Sequence, residues 1–192
     1  AMNWVNGSGL VHNTIHSNHA SFYEEIHRAI NKEPANAFDP EVLGVASALG
    51  IRKGQPFSLE GPQREKFEEA AATGSAYARA VAFAPRNPAA YLYGEENSKW
   101  FTLFPEWDYR FLVDDGAGGT DMDSRLAFFY VATVNTPAMV WRIPGVGSQY
   151  AIIARDADGE WFDGDKTYTL RIPSDVPAKN FWSFVIYDPQ TR

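Results

Sequence analysis

Two spacings of apolar residues divide this chain into a helical part and a later part with the pattern of β-strands. Through residue 81, apolar side chains recur every three or four positions, which places them on one face of an α-helix. After residue 148, short apolar runs are separated by turn residues, and apolar and polar side chains alternate in residues 167–172. This order, with helices first and strands last, predicts an α+β fold.

Capping residues and prolines define the predicted ends of the first two helices. Ser21 followed by Glu24 has the pattern of a capping box, and Pro34 ends this helix. The second helix begins at Asp39, which is followed by proline, and ends at Gly50, because glycine readily adopts the left-handed conformation of a helix end.

Two further helices are predicted, one before and one after a region crowded with aromatic residues. The first begins at Pro62 and ends before Pro85, and its stripe of alanine and Gly74 predicts that another element packs close to it. Residues 121–134 have the spacing of a helix that Asp123 can cap, although residues 128–134 alone also fit a buried strand. We favour the helix.

The predicted strands comprise residues 109–113, 149–155, 167–172 and 181–187. Two turns rich in aspartate and glycine, at 156–159 and 163–166, separate the middle pair of strands. The last strand carries aromatic residues on both faces, so we expect it to be central and covered on both sides. These segments predict an antiparallel sheet after the helices.

Composition excludes several classes of function. Lys and Arg number 17 against 24 Asp and Glu, and this net charge of −7 argues against nucleic-acid binding, which requires basic residues at the phosphates. No apolar run is long enough to span a membrane, so we predict no membrane span. The chain has no cysteine, which excludes disulfides and thiol chemistry. Residues 116–119 lack the lysine of a phosphate loop, and we predict no cofactor.

Three ordered motifs carry a family resemblance, and they read DGDKTYTLRIP at 163–173, VPAKNFWS at 176–183 and YDPQTR at 187–192. They resemble the bacterial family called domain of unknown function 1214. Shorter stretches that agree begin near residue 13, so the resemblance runs from there to residue 192. Asn180 stands where the family pattern leads us to expect an acidic residue, and no catalytic residue follows from the resemblance.

The resemblance implies a secreted or periplasmic protein built around a β-sandwich or jelly-roll domain with helical additions. Relatives usually carry an upstream domain of unknown function 1254, so we expect residues 1–20 to be a linker or a remnant of it. Residues 21–95 then form a helical segment, and residues 96–192 form a mixed segment that leads into the antiparallel β domain. We expect a fragment that lacks later strands, and its open sheet edge predicts a homo-oligomer or association with the missing domain.

The aromatic content predicts a binding function for this envelope module. Trp100, Trp107 and Trp182 are candidates for binding a small molecule or a saccharide, because indole rings stack on flat or apolar ligands. A partner protein is the other expected ligand. Most tryptophans in proteins are nevertheless core residues, so burial is the competing interpretation.

Carboxylates suggest two alternatives to a binding function. Asp156, Asp158, Asp163 and Asp165 cluster in the two predicted turns, where oxygen-rich loops can bind calcium, but aspartate also favours such turns for backbone reasons. The leading expectation is therefore no metal. The second alternative is a hydrolase with an acid–base site, for which Tyr130, Asp188 and Arg192 have suitable side chains.

Overall fold

The computed structural model describes residues 6–10, 15–105, 108–132 and 149–189, in two compact units, Ala1–Tyr77 and Ala78–Arg192. The α-helices of the described part are α1 (Ser21–Lys32), α2 (Pro40–Ala48), α3 (Gly61–Phe83) and α4 (Met122–Ala132). Short 3-10 helices lie at Ala35–Ala37, Pro88–Ala90 and Asp114–Gly116. Helix α3 contributes residues to both units. The domain boundaries predicted at residues 20 and 95 stay a prediction.

Helix α1 begins as predicted near Ser21, but the predicted capping box is wrong. Ala20 occupies the cap position, and no side chain bonds there. The Phe22 N–H bonds the His19 carbonyl, and the Tyr23 N–H bonds the Ala20 carbonyl. Helical winding therefore begins before Ser21, and Ser21 already lies inside the first turn. Its hydroxyl instead lies 2.6 Å from the Ser17 hydroxyl.

Helix α2 confirms both of its predicted ends. The Asp39 carboxylate accepts a hydrogen bond of 2.8 Å from the Glu41 N–H, which satisfies one of the free donors of the first turn. Gly50 has φ +84°, a left-handed conformation that glycine adopts without steric cost. The next residue, Ile51, is buried in the core of the first unit together with Ile30 and Ala46.

The second unit is organised around Phe101, which is 1% exposed. On one side, its N–H and C=O exchange hydrogen bonds of 2.8 Å with Ile152. On the other side, Phe101 forms an antiparallel bridge with Tyr91. Two hydrogen bonds of 2.8 Å flank this bridge, one from the Leu92 N–H to the Trp100 carbonyl and one from the Thr102 N–H to the Ala90 carbonyl. Around it lie the buried side chains of the core, namely Ala78, Val81, Ala82, Leu103, Phe111, Ala127, Phe128 and Tyr130.

The predicted β-sandwich or jelly roll is wrong. Antiparallel pairing in the described part of the chain consists of isolated bridges, such as Phe101 with Ile152 and Arg155 with Trp161, and no strand or sheet forms there. Residues 149–155 thus supply two isolated bridges, at Ile152 and at Arg155, and no continuous strand. Residues 167–172 and 181–187 form neither a strand nor a bridge. Alternation of apolar residues suits an extended backbone, but a strand also requires a partner for its hydrogen bonds.

Residues 109–113 form a tight loop instead of the predicted strand. The Phe111 N–H bonds the Asp108 carbonyl at 2.9 Å, and Phe111 has φ +58°, which no strand residue has. Leu112 then makes a single bridge with Thr120. The Phe111 ring stacks on Phe104 at 5.4 Å, so burial of this ring in the core accompanies the unusual backbone.

The predicted helix in residues 121–134 is confirmed for Met122–Ala132, and residues 133–134 lie outside the described residues. Its cap is Asp121 and not the predicted Asp123, because the Asp121 carboxylate accepts from the Ser124 N–H at 2.9 Å. Both predicted turns are confirmed. The Gly159 N–H bonds the Asp156 carbonyl at 3.1 Å, and the Lys166 N–H bonds the Asp163 carbonyl, also at 3.1 Å.

Two further features bear on the predictions. The close packing predicted along the small-residue stripe of α3 is confirmed at Ala78 and Ala82, which are buried in the core of the second unit. It is wrong at Gly74, where an added Cβ would meet nothing within 4 Å. Among the described residues, no helix combines the length and the apolar content needed to cross a bilayer.

We predict opposite effects of alanine at Gly74 and Gly50. Gly74→Ala should raise the free energy of unfolding by about 0.5–1 kcal/mol, because a helical backbone loses less entropy on folding when the residue is alanine. Gly50→Ala should lower it by about 1–2 kcal/mol, because alanine is strained at positive φ. Urea unfolding followed by circular dichroism measures both.

The two sites make a matched pair, because neither glycine has a neighbour that the new methyl group would touch. Equal effects of the two substitutions would contradict the assigned backbone conformations.

Candidate functional site

A network of polar side chains surrounds the N-terminus of α4 in the second unit. Asp121 lies at its centre, where its carboxylate accepts hydrogen bonds from the Asn87 amide, the Ser124 N–H and the Ser124 hydroxyl, each at 2.9 Å. Asn87 also caps the 3-10 helix Pro88–Ala90 by accepting from the Ala89 N–H at 3.0 Å. The network therefore ties the start of α4 to the segment that follows α3.

The pKa of Asp121 lies below its ordinary value. Burial acts to raise this pKa, but the hydrogen bonds from Ser124 and Asn87 outweigh burial because they stabilise the charged carboxylate. Beside it, the Arg86 guanidinium contacts one oxygen of Asp123 through Nη2 at 2.6 Å and Nε at 2.7 Å. This pair is partly exposed, so its contribution to stability is small.

Part of this network borders a small depression that has room for about one water molecule. Arg86, Asn87, Asp123 and Ser124 supply polar groups, and Val81 and Leu103 are among its apolar walls. Ser124 donates its hydroxyl proton to Asp121, and a carboxylate with a lowered pKa is a weak general base. All four histidines of the chain lie at or before residue 27, in the first unit. The arrangement supports a structural role at the start of α4.

Of the three tryptophans predicted to bind a ligand, Trp100 and Trp182 lie within the described residues. Trp100 is half-buried, and its ring lies edge-on to Phe184 with centroids 6.3 Å apart. Trp182 is 53% exposed, and Trp107 lies outside the described residues. Trp100 therefore borders the segment that contains Trp182, and a pocket formed by all three stays a prediction.

Of the three proposed hydrolase residues, Tyr130 and Asp188 lie within the described residues, and they occupy different environments. Tyr130 belongs to the buried core of the second unit, where its ring is perpendicular to that of Phe83 at 6.3 Å. Asp188 is exposed, and Arg192 lies outside the described residues. The ring of Tyr130 thus packs in the hydrophobic core. The acid–base site stays a prediction.

The turn carboxylates bond their own backbone. Asp156 accepts from the N–H groups of Asp158 and Glu160 at 3.0 and 2.9 Å, and Asp163 accepts from Asp165 at 3.0 Å. Within the described ranges, no group of three or more His, Asp or Glu side chains is arranged to hold a metal ion. The backbone interpretation accounts for the positions of Asp156 and Asp163.

The largest departure from expectation is the exposure of residues 181–187. Their backbone runs without helix, turn or bend, and in the described part of the chain it makes no backbone–backbone hydrogen bond. The segment contains no charged residue. Its large apolar side chains are exposed, from Phe184 at 48% to Ile186 at 86%, and they include Phe181, Trp182, Val185 and Tyr187. The sequence pattern indicated a strand here but predicted that it would be buried on both faces.

Comparison with known proteins places this segment within a family match. A family model described as "Protein of unknown function (DUF1214)" matches residues 147–192, which contain the three motifs that carried the resemblance. The resemblance to that family is confirmed over this stretch, whereas the companion domain upstream stays a prediction. A search of curated proteins gave no match to the chain.

We predict that Asp121→Ala lowers the free energy of unfolding at pH 7 by about 1 kcal/mol, because the variant loses the cap of α4. The folded-state pKa of Asp121 is depressed, so its contribution is complete above the ordinary pKa of about 3.9 and is lost as the pH falls through the lower folded value. The difference in the free energy of unfolding between wild type and Asp121→Ala should therefore disappear below about pH 4.

Urea unfolding at pH 7, 5 and 3 measures this gap. Asp165→Ala removes an exposed carboxylate of the same unit and should change stability by less than about 0.5 kcal/mol. A gap between wild type and Asp121→Ala that is the same at all three pH values would refute the role of the charged carboxylate.

Proposed function

We propose that this chain is a binding module that docks an extended polypeptide along residues 181–187. One observation carries the proposal: an uncharged run of large apolar side chains is exposed while the backbone beside them lacks hydrogen-bonded partners in the described chain. Exposed apolar runs of this kind mark interaction sites in soluble proteins. The segment also lies within the family match, at residues 147–192.

The side chains supply a driving force for docking. Burying a large apolar side chain that was exposed contributes about 1.5–3 kcal/mol, and several such side chains lie in this segment. Part of that energy is lost in ordering the partner. Ile186 and Phe181, at 86% and 80% exposure, have the most surface to bury.

The backbone supplies direction and register. A segment with free N–H and C=O groups can accept a second extended chain, which adds as a strand and forms main-chain hydrogen bonds. Val185 and Ile186 are β-branched, and Phe181, Trp182, Phe184 and Tyr187 are aromatic, so the composition suits a strand once a partner is present. A polypeptide satisfies both the backbone and the apolar side chains.

The other candidates have less support. A saccharide or another small ligand could stack on the exposed ring of Trp182, but such a ligand leaves the unpaired backbone unsatisfied. The hydrolase alternative gains no support from the buried position of Tyr130. A location in the bacterial envelope, secreted or periplasmic, remains our proposal from the family resemblance.

We predict that a labelled peptide of alternating valine and threonine binds the protein and that Ile186→Lys weakens this binding at least about tenfold. The loss corresponds to the apolar burial of one isoleucine. Fluorescence anisotropy at low protein concentration measures binding, and hydrogen exchange should show new protection of the amides of residues 181–187.

Val45→Lys is the matched control, because Val45 is also an exposed aliphatic residue, at 67%, but lies on α2. It should leave binding unchanged. A peptide with proline at alternate positions, which cannot donate to a ladder, should not bind. Equal binding of both peptides, or of neither, would refute docking along the backbone.

A further inference from the structure

We infer that the polypeptide that docks on residues 181–187 is the same segment of a second copy of this chain, paired antiparallel. The inference rests on the proposed function and names its partner. A twofold antiparallel arrangement lets one surface serve both partners, because each copy offers the same side chains and the same open backbone. The features that favour this partner are the order of side chains within the segment and the charges at its ends.

The order of side chains is self-complementary about Phe184. A twofold axis there places Phe184 opposite its own copy and produces the pairs Phe181 with Tyr187, Trp182 with Ile186, and Ser183 with Val185. Aromatic–aromatic and aromatic–β-branched pairs are among the most favourable neighbours across two antiparallel strands. The pairing uses the whole uncharged run and leaves no large apolar residue opposite a charged one.

The charges at the two ends favour the antiparallel direction. Lys179 precedes the uncharged run and Asp188 follows it. In the antiparallel pair, Lys179 of one copy lies opposite Pro189 of the other and Asp188 lies opposite Asn180. One positive and one negative side chain are therefore near each end of the pair, and like charges do not face each other. In a parallel pair aligned in register, like charges would meet at both ends, which is unfavourable. The uncharged run also lets two copies approach despite a net charge of −7 on each.

The contact that the segment already makes does not prevent this pairing. The Phe184 ring packs edge-on against Trp100, with centroids 6.3 Å apart, and Phe184 remains 48% exposed. A second strand adds beside the backbone and not over this ring. Each copy can therefore keep its own Trp100 contact within the dimer.

The absence of cysteine from the chain allows a direct test of register. Ser183→Cys and Val185→Cys are made as separate full-length variants, one of them with a mass tag, and are mixed under mild oxidation. In the inferred register these two positions are directly opposite, with Cα atoms about 4.5–5.5 Å apart, which a disulfide can span. Two copies of either variant alone place their cysteines roughly 8 Å apart, beyond that range.

We expect the mixed disulfide to form in several-fold excess over either homodimeric disulfide. Wild type at rising concentration should sediment with twice the 21.4 kDa mass of the chain, and Ile186→Lys should remain monomeric while Val45→Lys dimerises. Circular dichroism checks that the helices of every variant are intact.

Three outcomes would overturn the inference. Homodimeric disulfides as abundant as the mixed one would indicate parallel or unspecific pairing. Wild type that stays monomeric at every concentration, yet binds the valine–threonine peptide, would show that the segment docks a different polypeptide and would leave the proposed function intact. A wild type that neither dimerises nor binds the peptide would refute both proposals.

Discussion

The second unit depends on the hydrogen bonds that surround the backbone of Phe101. Phe101 is buried as a whole residue, so its main-chain N–H and C=O are shielded from water and require partners within the protein. Ile152 supplies both partners. On the opposite side of Phe101, hydrogen bonds from the Leu92 N–H to the Trp100 carbonyl and from the Thr102 N–H to the Ala90 carbonyl hold the neighbouring segment in place. Three distant stretches of chain are thereby held together without a regular sheet, and Phe128 and Tyr130 of α4 belong to the core that forms around them.

The same requirement explains why residues 181–187 stand out. A backbone without hydrogen-bonded partners can remain in solution only while water satisfies it, and large apolar side chains beside it oppose that exposure. Ile152 and Phe101 satisfy this requirement because each donates a backbone hydrogen bond to the other. In the described chain, residues 181–187 have no such pairing, and an added strand would satisfy the backbone and cover Ile186 in one step.

The polar network at α4 shows a different use of charge. Asp121 is held as a carboxylate by the hydrogen bonds of Ser124 and Asn87, and this fixes the start of a helix that contributes Phe128 to the core. Its lowered pKa suits a cap better than a proton acceptor in catalysis. Polar side chains therefore order α4, whereas the uncharged and exposed side chains of residues 181–187 form the proposed docking surface.

The sequence by itself determined the features that depend on neighbouring residues. Asp39 caps α2, Gly50 ends it, and aspartates shape the turns at 156–159 and 163–166, because these interactions span only a few residues. Only the tertiary structure decided whether extended segments find partners. The alternation in residues 167–172 and the aromatic and β-branched residues of 181–187 suit an extended backbone but do not specify the position of a second strand. Isolated bridges and an exposed segment therefore stand in place of the predicted sheet. The network of Asn87 and Asp121 likewise joins residues far apart in the chain, which no local pattern specifies.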